Sequence, residues 1–167
     1  MIRSRDPRKL TVRRAEWSEV SALAQLWYES WQDGHAGLLP EALHRSRTLE
    51  NFHQRMEAHL DEVRVVGPIG APLGFTMLRH DELYQLFVSA EGRGTGVATA
   101  LLAEAEDRMR RLGIEAAWLS CAIGNERAAR FYEKNGWLRA GTFVDRVEIS
   151  DGSMDIEVWH YTKRLTL

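Results

Sequence analysis

Cysteine is almost absent from the chain: of 167 residues, only Cys121 carries a thiol. No intrachain disulfide can form, and no multi-cysteine metal site can be built. Proline is scarce too, limited to Pro7, Pro40, Pro68 and Pro72, and none of these divides the chain into halves. No apolar run approaches the roughly 20 residues that a membrane-spanning helix needs. The first ten residues, MIRSRDPRKL, are basic with no apolar stretch behind them, so no secretory signal is expected. A formal net charge of -2 leaves no surplus of either sign, and binding to nucleic acid or to an anionic membrane is not expected. The histidines form no close pair at a ligand spacing; His53 and His59 do not share a helix face, and no metal is expected. What is present, 44% apolar and 28% charged residues, suits one globular domain over 1–167, with 1–8 loosely ordered. The expected compartment is reducing, the cytoplasm.

Two periodicities alternate along the chain, which predicts a mixed α/β domain. Residues 9–14 alternate apolar and charged, as a half-buried strand does. Ser18 is the expected N-cap of a helix in which Val20, Leu23, Ala24, Trp27 and Trp31 recur at helical spacing and which Gly34 ends. Trp17 is expected to pack at that helix's entry. Pro40 starts a short helix at 40–43, and Thr48 caps another through His59. Residues 63–66, 73–79 and 83–88 read as three successive strands. Val97, Leu101, Ala105, Met109 and Leu112 share one stripe of a long helix closed by Gly113. A buried strand follows at 116–121, then a helix capped by Asn125 and stopped at Asn135-Gly136, then an antiparallel pair at 137–144 and 154–162. The order β-α-α-β-β-β-α-β-α-β-β predicts a central mixed, mostly antiparallel sheet flanked by helices, of α/β (α+β) class. Trp118, Trp137 and Trp159 fall on its strands and are expected in the core or on a sheet face.

The chemistry is concentrated where the strand at 83–88 gives way to the long helix. Gly92, Gly94 and Gly96 make the junction glycine-rich. Free backbone N–H groups and the positive end of a helix dipole meet there, which suits a phosphate or pyrophosphate. A phosphate-binding loop of the Gly-Lys-Ser/Thr kind does not fit, because the glycines lead to Val97-Ala98. A dinucleotide fold would place its third glycine where Thr99 stands, near the start of the chain rather than its middle. The pyrophosphate of coenzyme A is the third candidate, and a plain connecting turn is the fourth.

A second stretch follows about thirty residues on, Asn125-Glu126-Arg127-Ala128-Ala129-Arg130-Phe131-Tyr132-Glu133-Lys134-Asn135-Gly136-Trp137. The two together resemble the GNAT superfamily of acetyl-CoA-dependent N-acetyltransferases. That family's loop reads Arg/Gln-x-x-Gly-x-Gly/Ala, and its second signature reads Asn-x-x-Ala-x-x-x-Tyr-x-x-x-Gly-Phe. Asn125, Ala128, Tyr132 and Gly136 match the second, with Trp137 in place of Phe. The expected element order matches the family fold over nearly the whole chain. Aligned from the glycine-rich turn, the leading Arg or Gln falls on Glu91, a departure expected to weaken pyrophosphate binding.

The resemblance implies a set of roles. Backbone groups of Phe87 and Val88 would pair with the pantetheine arm, lying between two splayed parallel strands. Arg93, Gly94, Thr95, Gly96, Val97 and Ala98 would hold the pyrophosphate of acetyl-CoA. Asn125 would bond the pantetheine, and Tyr132 would protonate the departing thiolate. On residue type alone, Asn125 also reads as an N-cap and Tyr132 as an aromatic packed on the sheet. The acceptor, a small-molecule or peptide amine, poses a proton problem: with a pKa of about 10.4 it is neutral in roughly one molecule in two thousand at pH 7. A base is therefore expected, and Glu82, His80, Tyr84 and His35 are the candidates, Glu82 first because the family tends to place an acid there. Trp27, Tyr28, Trp31, His35 and Tyr84 are candidate acceptor contacts, with core packing as the plain reading of Trp27 and Trp31. Cys121 reads as a core residue. A homodimer is compatible with the family. An enzyme using a longer acyl group, a non-catalytic acyl-CoA-binding regulator and a nucleotide-binding protein stay open as rivals.

Overall fold

The computed structural model describes residues 10–165. The expectation for 1–8, and Lys9 of the first expected strand, lie outside them. Seven strands form one sheet in the order β1-β2-β3-β4-β5-β7-β6. They are β1 Val12–Arg14, β2 Val63–Val66, β3 Gly74–Arg79, β4 Glu82–Val88, β5 Ala116–Ala122, β6 Leu138–Ile149 and β7 Gly152–Arg164. The helices are α1 Val20–His35, α2 Glu41–Ser46, α3 Leu49–His59, α4 Val97–Arg111 and α5 Glu126–Lys134. Every strand pairing is antiparallel except β4 with β5. No helix among the described residues is long and apolar enough to cross a membrane.

Strand alternation sorts the core to two faces. Val63, Val65, Phe75 and Met77 pack with Leu23, Trp27, Phe52 and Met56 of α1 and α3. Leu78, Leu83 and Leu119 pack with Leu102, Ala105 and Met109 of α4 and with Ala129 and Tyr132 of α5. Gly74 is required on the α4 face, because a Cβ there would stand 2.9 Å from Val97 Cγ1. Trp27 has no exposed surface and meets Phe52 at 4.9 Å and Phe75 at 5.6 Å between ring centroids. Its truncation to alanine would cost about 3–5 kcal/mol.

Several boundaries differ from the sequence expectation. The first strand holds only Val12–Arg14. Ser18 does not cap α1, because a 3₁₀ turn at Trp17–Glu19 comes first, with Glu16 and Glu19 forming a capping box. Glu19 is held there by Arg13, at 2.7 and 2.8 Å, and by the N–H groups of Glu16 and Gly70. Trp17 is 67% exposed, so it is not packed into the helix entry as expected. Gly34 lies inside α1, and the left-handed break comes at Gly37 with φ 73°. Pro40 is the N-cap of α2 rather than its first residue. Trp137 is buried but precedes β6.

The largest difference is the terminal hairpin, with strands of 12 and 13 residues instead of the shorter pair expected. Its far half alternates charged residues with Val147, Ile149, Met154 and Ile156, which pack against the α1–α3 core. Ser150 ties the tip to α2, its N–H and hydroxyl both bonding Ser46 Oγ, at 3.0 and 3.1 Å. This overhang makes one wall of the cavity described next.

Candidate active site

β4 and β5 touch at one end only. Their single register pair is Glu82 with Trp118, reinforced by Trp118 N–H donating to Asp81 O at 3.0 Å. Beyond it β4 continues along β3 to Val88 while β5 continues along β7 to Ala122. A wedge opens between them, lined by Gln85, Leu86, Phe87, Ser120, Cys121 and Ala122, within a cavity of about 490 Å³. The ladder sets which backbone groups face it. Ser89 N–H donates to Leu73 O at 2.8 Å, so Ser89 and Leu73 are a bonded antiparallel pair. Alternation then turns the N–H and C=O of Phe87 to β3, and those of Leu86 and Val88 to the wedge. Ser30 Oγ, which donates to Val88 O at 3.3 Å from α1, fits that orientation. The backbone role expected of Phe87 therefore passes to Leu86, and Phe87 contributes its ring to the lining.

At the open end of the wedge the chain turns sharply into α4. Gly94 and Gly96 have φ of 71° and 88°, in the left-handed region, and Gly96 is the N-cap. Gly92 is pressed against β3: a Cβ there would lie 2.7 Å from Leu73 O. Thr95 Oγ1 donates to Gly92 O and braces the turn. The first helical bond runs from Ala100 N–H to Gly96 O, which leaves the N–H groups of Val97 and Ala98 free of helical partners. Counted back from this helix start, Arg/Gln-x-x-Gly-x-Gly/Ala falls on Arg93, Gly96 and Ala98. Glu91 is thus not the leading position, and the departure expected there disappears. Arg93, from the loop, and Arg127, from the first turn of α5, both pair with Asp33 of α1. These pairings hold the Asp33 carboxyl below its ordinary range.

Asn125 accepts from Ala128 N–H at 3.3 Å as the N-cap of α5 and also lines the cavity. Tyr132 is 8% exposed and lines the cavity as well, and its hydroxyl has no protein partner among the described residues. Burial, and then nearby Cys121, push its phenol upward, so it is protonated at neutral pH. Burial likewise pushes the Cys121 thiol up to about 12, which makes it inert as a nucleophile.

The closed end of the wedge holds acid. Glu82 is 7% exposed, and Arg79 Nη2 lies 3.0 Å from its carboxylate. Burial raises the Glu82 carboxyl despite Arg79, with Asp145 and Asp81 adding to the rise. Asp145, across on β6, is raised by burial too. Tyr84 is on the same wall, its ring under the Arg79 guanidinium at 3.6 Å and its hydroxyl accepting from Arg55 Nη2 at 3.0 Å. Trp31 and His35 line the cavity. His35 Nδ1 is 2.9 Å from Trp31 O, which fixes the proton on Nδ1 and leaves Nε2 as an acceptor. Burial lowers the His35 pKa.

Three expected site residues are elsewhere. Trp27 is wholly buried beneath the cavity, and Tyr28 packs against Phe52 outside its lining. His80 is an exposed turn residue with φ 52°. Conversely, Arg47, Arg55, His59, Arg79 and Asp145 line the cavity although no motif marked them.

A family model described as the acetyltransferase (GNAT) family matches residues 17–137. Mycothiol acetyltransferase of Propionibacterium freudenreichii subsp. shermanii is 34% identical over 122 residues, covering 73% of this chain and 32% of that protein. The chain thus spans about a third of that relative's length. Aminoalkylphosphonate N-acetyltransferase of Salmonella typhimurium is 31% identical over 116 residues, 68% of this chain and 69% of that one. A GCN5-related N-acetyltransferase structure from Rhodopseudomonas palustris superposes with a TM-score of 0.73 at 19% identity, over 93% of this chain and 96% of that one. The PaiA N-acetyltransferase of Thermoplasma acidophilum, solved in complex with coenzyme A, gives 0.68 at 21% identity, over 93% and 98%. These structural likenesses carry the fold.

Proposed function

The chain belongs to the acetyltransferase (GNAT) family, and from that premise we propose that it moves the acetyl group of acetyl-CoA to a primary amine of a small molecule or peptide, by direct transfer within a ternary complex. The observation that carries this reading is the wedge between β4 and β5, with β4 running on at its open end into the glycine turn of α4. The backbone groups that Leu86 and Val88 turn to the wedge, where β5 offers them no strand partner, suit a ligand with amides of its own, and the turn suits its pyrophosphate. Two relatives, named a mycothiol acetyltransferase and an aminoalkylphosphonate N-acetyltransferase, support a small acceptor.

Acetyl-CoA, when bound, supplies an acyl group activated as a thioester. The chain's residues do the rest. The N–H groups around Gly94, Thr95, Gly96, Val97 and Ala98, with the Arg93 side chain, hold the phosphates. Asn125 holds the pantetheine end while capping α5. Glu82 removes the ammonium proton, directly or through a water, and its raised pKa makes it a stronger base than an exposed carboxylate. Tyr132 Oη gives its proton to the departing sulfur, a role that a buried, unpartnered and neutral phenol suits. Trp31, His35 and Tyr84 wall the acceptor end.

We place the activity in the cytoplasm and in one domain spanning 1–167; a homodimer is compatible with the family. Calorimetric titration with acetyl-CoA, longer acyl-CoAs, NAD and ATP tests the reading. Selective binding of acetyl-CoA is expected; nucleotide binding without coenzyme A binding would overturn it, and preference for a longer chain would reassign the acyl group.

A further inference from the structure

Two guanidinium groups in the acceptor half of the cavity have no carboxylate beside them. Arg47, just past α2, is 8% exposed, and its Nη1 reaches only Asn51 Oδ1, at 3.4 Å. Arg55, on α3, is half-buried; it bonds the Tyr84 hydroxyl and lies over the Trp27 ring at 4.4 Å. Among the described residues neither has a carboxylate oxygen within 4.0 Å. Three other cations that are at least half-buried do: Arg13 has Glu19, Arg108 has Glu104, and Lys163 has Glu106, while Arg64, outside the cavity, bonds the carbonyls of Asp61 and Val63 instead. Glu82 is engaged by Arg79, and Glu148, the acid felt by Arg47, stays exposed on β6 without reaching it.

The arrangement is costly for an empty cavity. Burying a guanidinium without a counter-charge is unfavourable, and setting a second one beside it adds repulsion. Both effects lower the pKa of Arg47, to about 10. Burial, and then Arg79 and Arg55, likewise disfavour a charge on His59, on the same wall. The cavity therefore has two poles. Glu82 and Asp145 form an acidic one where β4 meets β5, and Arg47 and Arg55 form a basic one under α2 and α3.

We infer that Arg47 and Arg55 form a subsite for an anionic group, a carboxylate or a phosphonate, carried by the acceptor amine. The inference rests on the acetyltransfer reading for the amine and deepens it by naming the acceptor class: a short amino-acid-like zwitterion whose ammonium faces Glu82 and whose anion lies between the two guanidinium groups. A guanidinium fork matches either oxyanion in a bidentate fashion. The same two charges disfavour a polyamine in that half of the cavity.

The test compares 2-aminoethylphosphonate, β-alanine, propylamine and spermidine as acceptors in a thiol-release assay. It is paired with calorimetric binding of each amine to the protein–coenzyme A complex. The expected result is a kcat/KM for at least one anionic amine about tenfold or more above propylamine, carried by KM. In Arg47→Gln and in Arg55→Gln that ratio falls about tenfold, and Arg47→Lys keeps part of it. The two anionic arms decide between phosphonate and carboxylate. Equal or better use of propylamine or spermidine, or a ratio that neither substitution moves, would overturn the subsite while leaving acetyl transfer standing. Absence of thiol release with every amine would instead defeat the acetyltransfer reading. The calorimetric arm then still decides the subsite, because binding of an anionic amine that is lost in Arg55→Gln supports it and no such binding refutes it.

Discussion

Glu82 pairs with Trp118 where β4 and β5 meet, and no other residue of β4 has a register partner on β5 among the described residues. The same residue therefore closes the sheet and stands at the head of the wedge that follows. Its carboxyl is raised by burial, so it takes up a proton at a pH where an exposed glutamate is already ionised. A base must be ionised to act. The acid side of the kcat/KM profile is accordingly expected to fall off at a higher pH than an ordinary carboxylate would give. Glu82→Gln should lower the rate about a hundredfold near neutrality and flatten that limb. A pH–rate profile of both proteins checks this.

Tyr132→Phe removes a hydroxyl that no protein group uses among the described residues, so stability should change little. If the phenol protonates the departing sulfur, kcat should fall about a hundredfold with acetyl-CoA affinity nearly unchanged. Steady-state kinetics beside a thermal melt separates the two effects.

Val88 and Phe87 differ in what their N–H groups face. Val88→Pro removes a group turned to the wedge and spares the β3 ladder, so the protein should fold and bind acetyl-CoA about tenfold more weakly. Phe87→Pro removes a ladder donor and should prevent folding. Circular dichroism with calorimetry on both variants tests the alternation directly.

Asp33 occupies Arg93 and Arg127 in the absence of phosphate. Asp33→Asn should free both arginines and tighten acetyl-CoA binding about threefold at low salt, less at high salt, since these groups are partly exposed. Titrations at two ionic strengths read out the change.

Arg13 holds the buried Glu19 carboxyl below its ordinary value of 4.5. The stabilisation is complete above that value and is lost as pH falls through the lowered folded-state value. Glu19→Gln should cost about 3 kcal/mol in urea unfolding at pH 7, with the gap closing in acid.

The fold was legible because most signals were local. Thr48 and Asn125 cap as their types suggest, and Gly113 closes the long helix. The glycine turn and the Asn125–Tyr132 spacing located the wedge. The acceptor end was not legible, because nothing local marks it. Arg55 reads as the solvent side of a helix whose buried residues are Phe52 and Met56, and Asp145 reads as one more charge in an alternating strand. The overhang of the β6–β7 hairpin, pinned at Ser150 to Ser46, brings Asp145 to the cavity, and Arg55 is held at it by the Tyr84 hydroxyl. Trp27 has two readings in the sequence, acceptor wall and core, and its helical position places it in the core. The leading position of the loop motif differs through register alone: the sequence aligns it on Glu91, and the helix start at Val97 moves it to Arg93.

The most direct test of the central claim is amine-dependent release of coenzyme A thiol from acetyl-CoA by the purified chain, with the N-acetylated product identified by mass. Release should match product one to one and fall about a hundredfold in Tyr132→Phe. Tight acetyl-CoA binding with no release for any amine would contradict that claim and leave a binding domain in place of an enzyme.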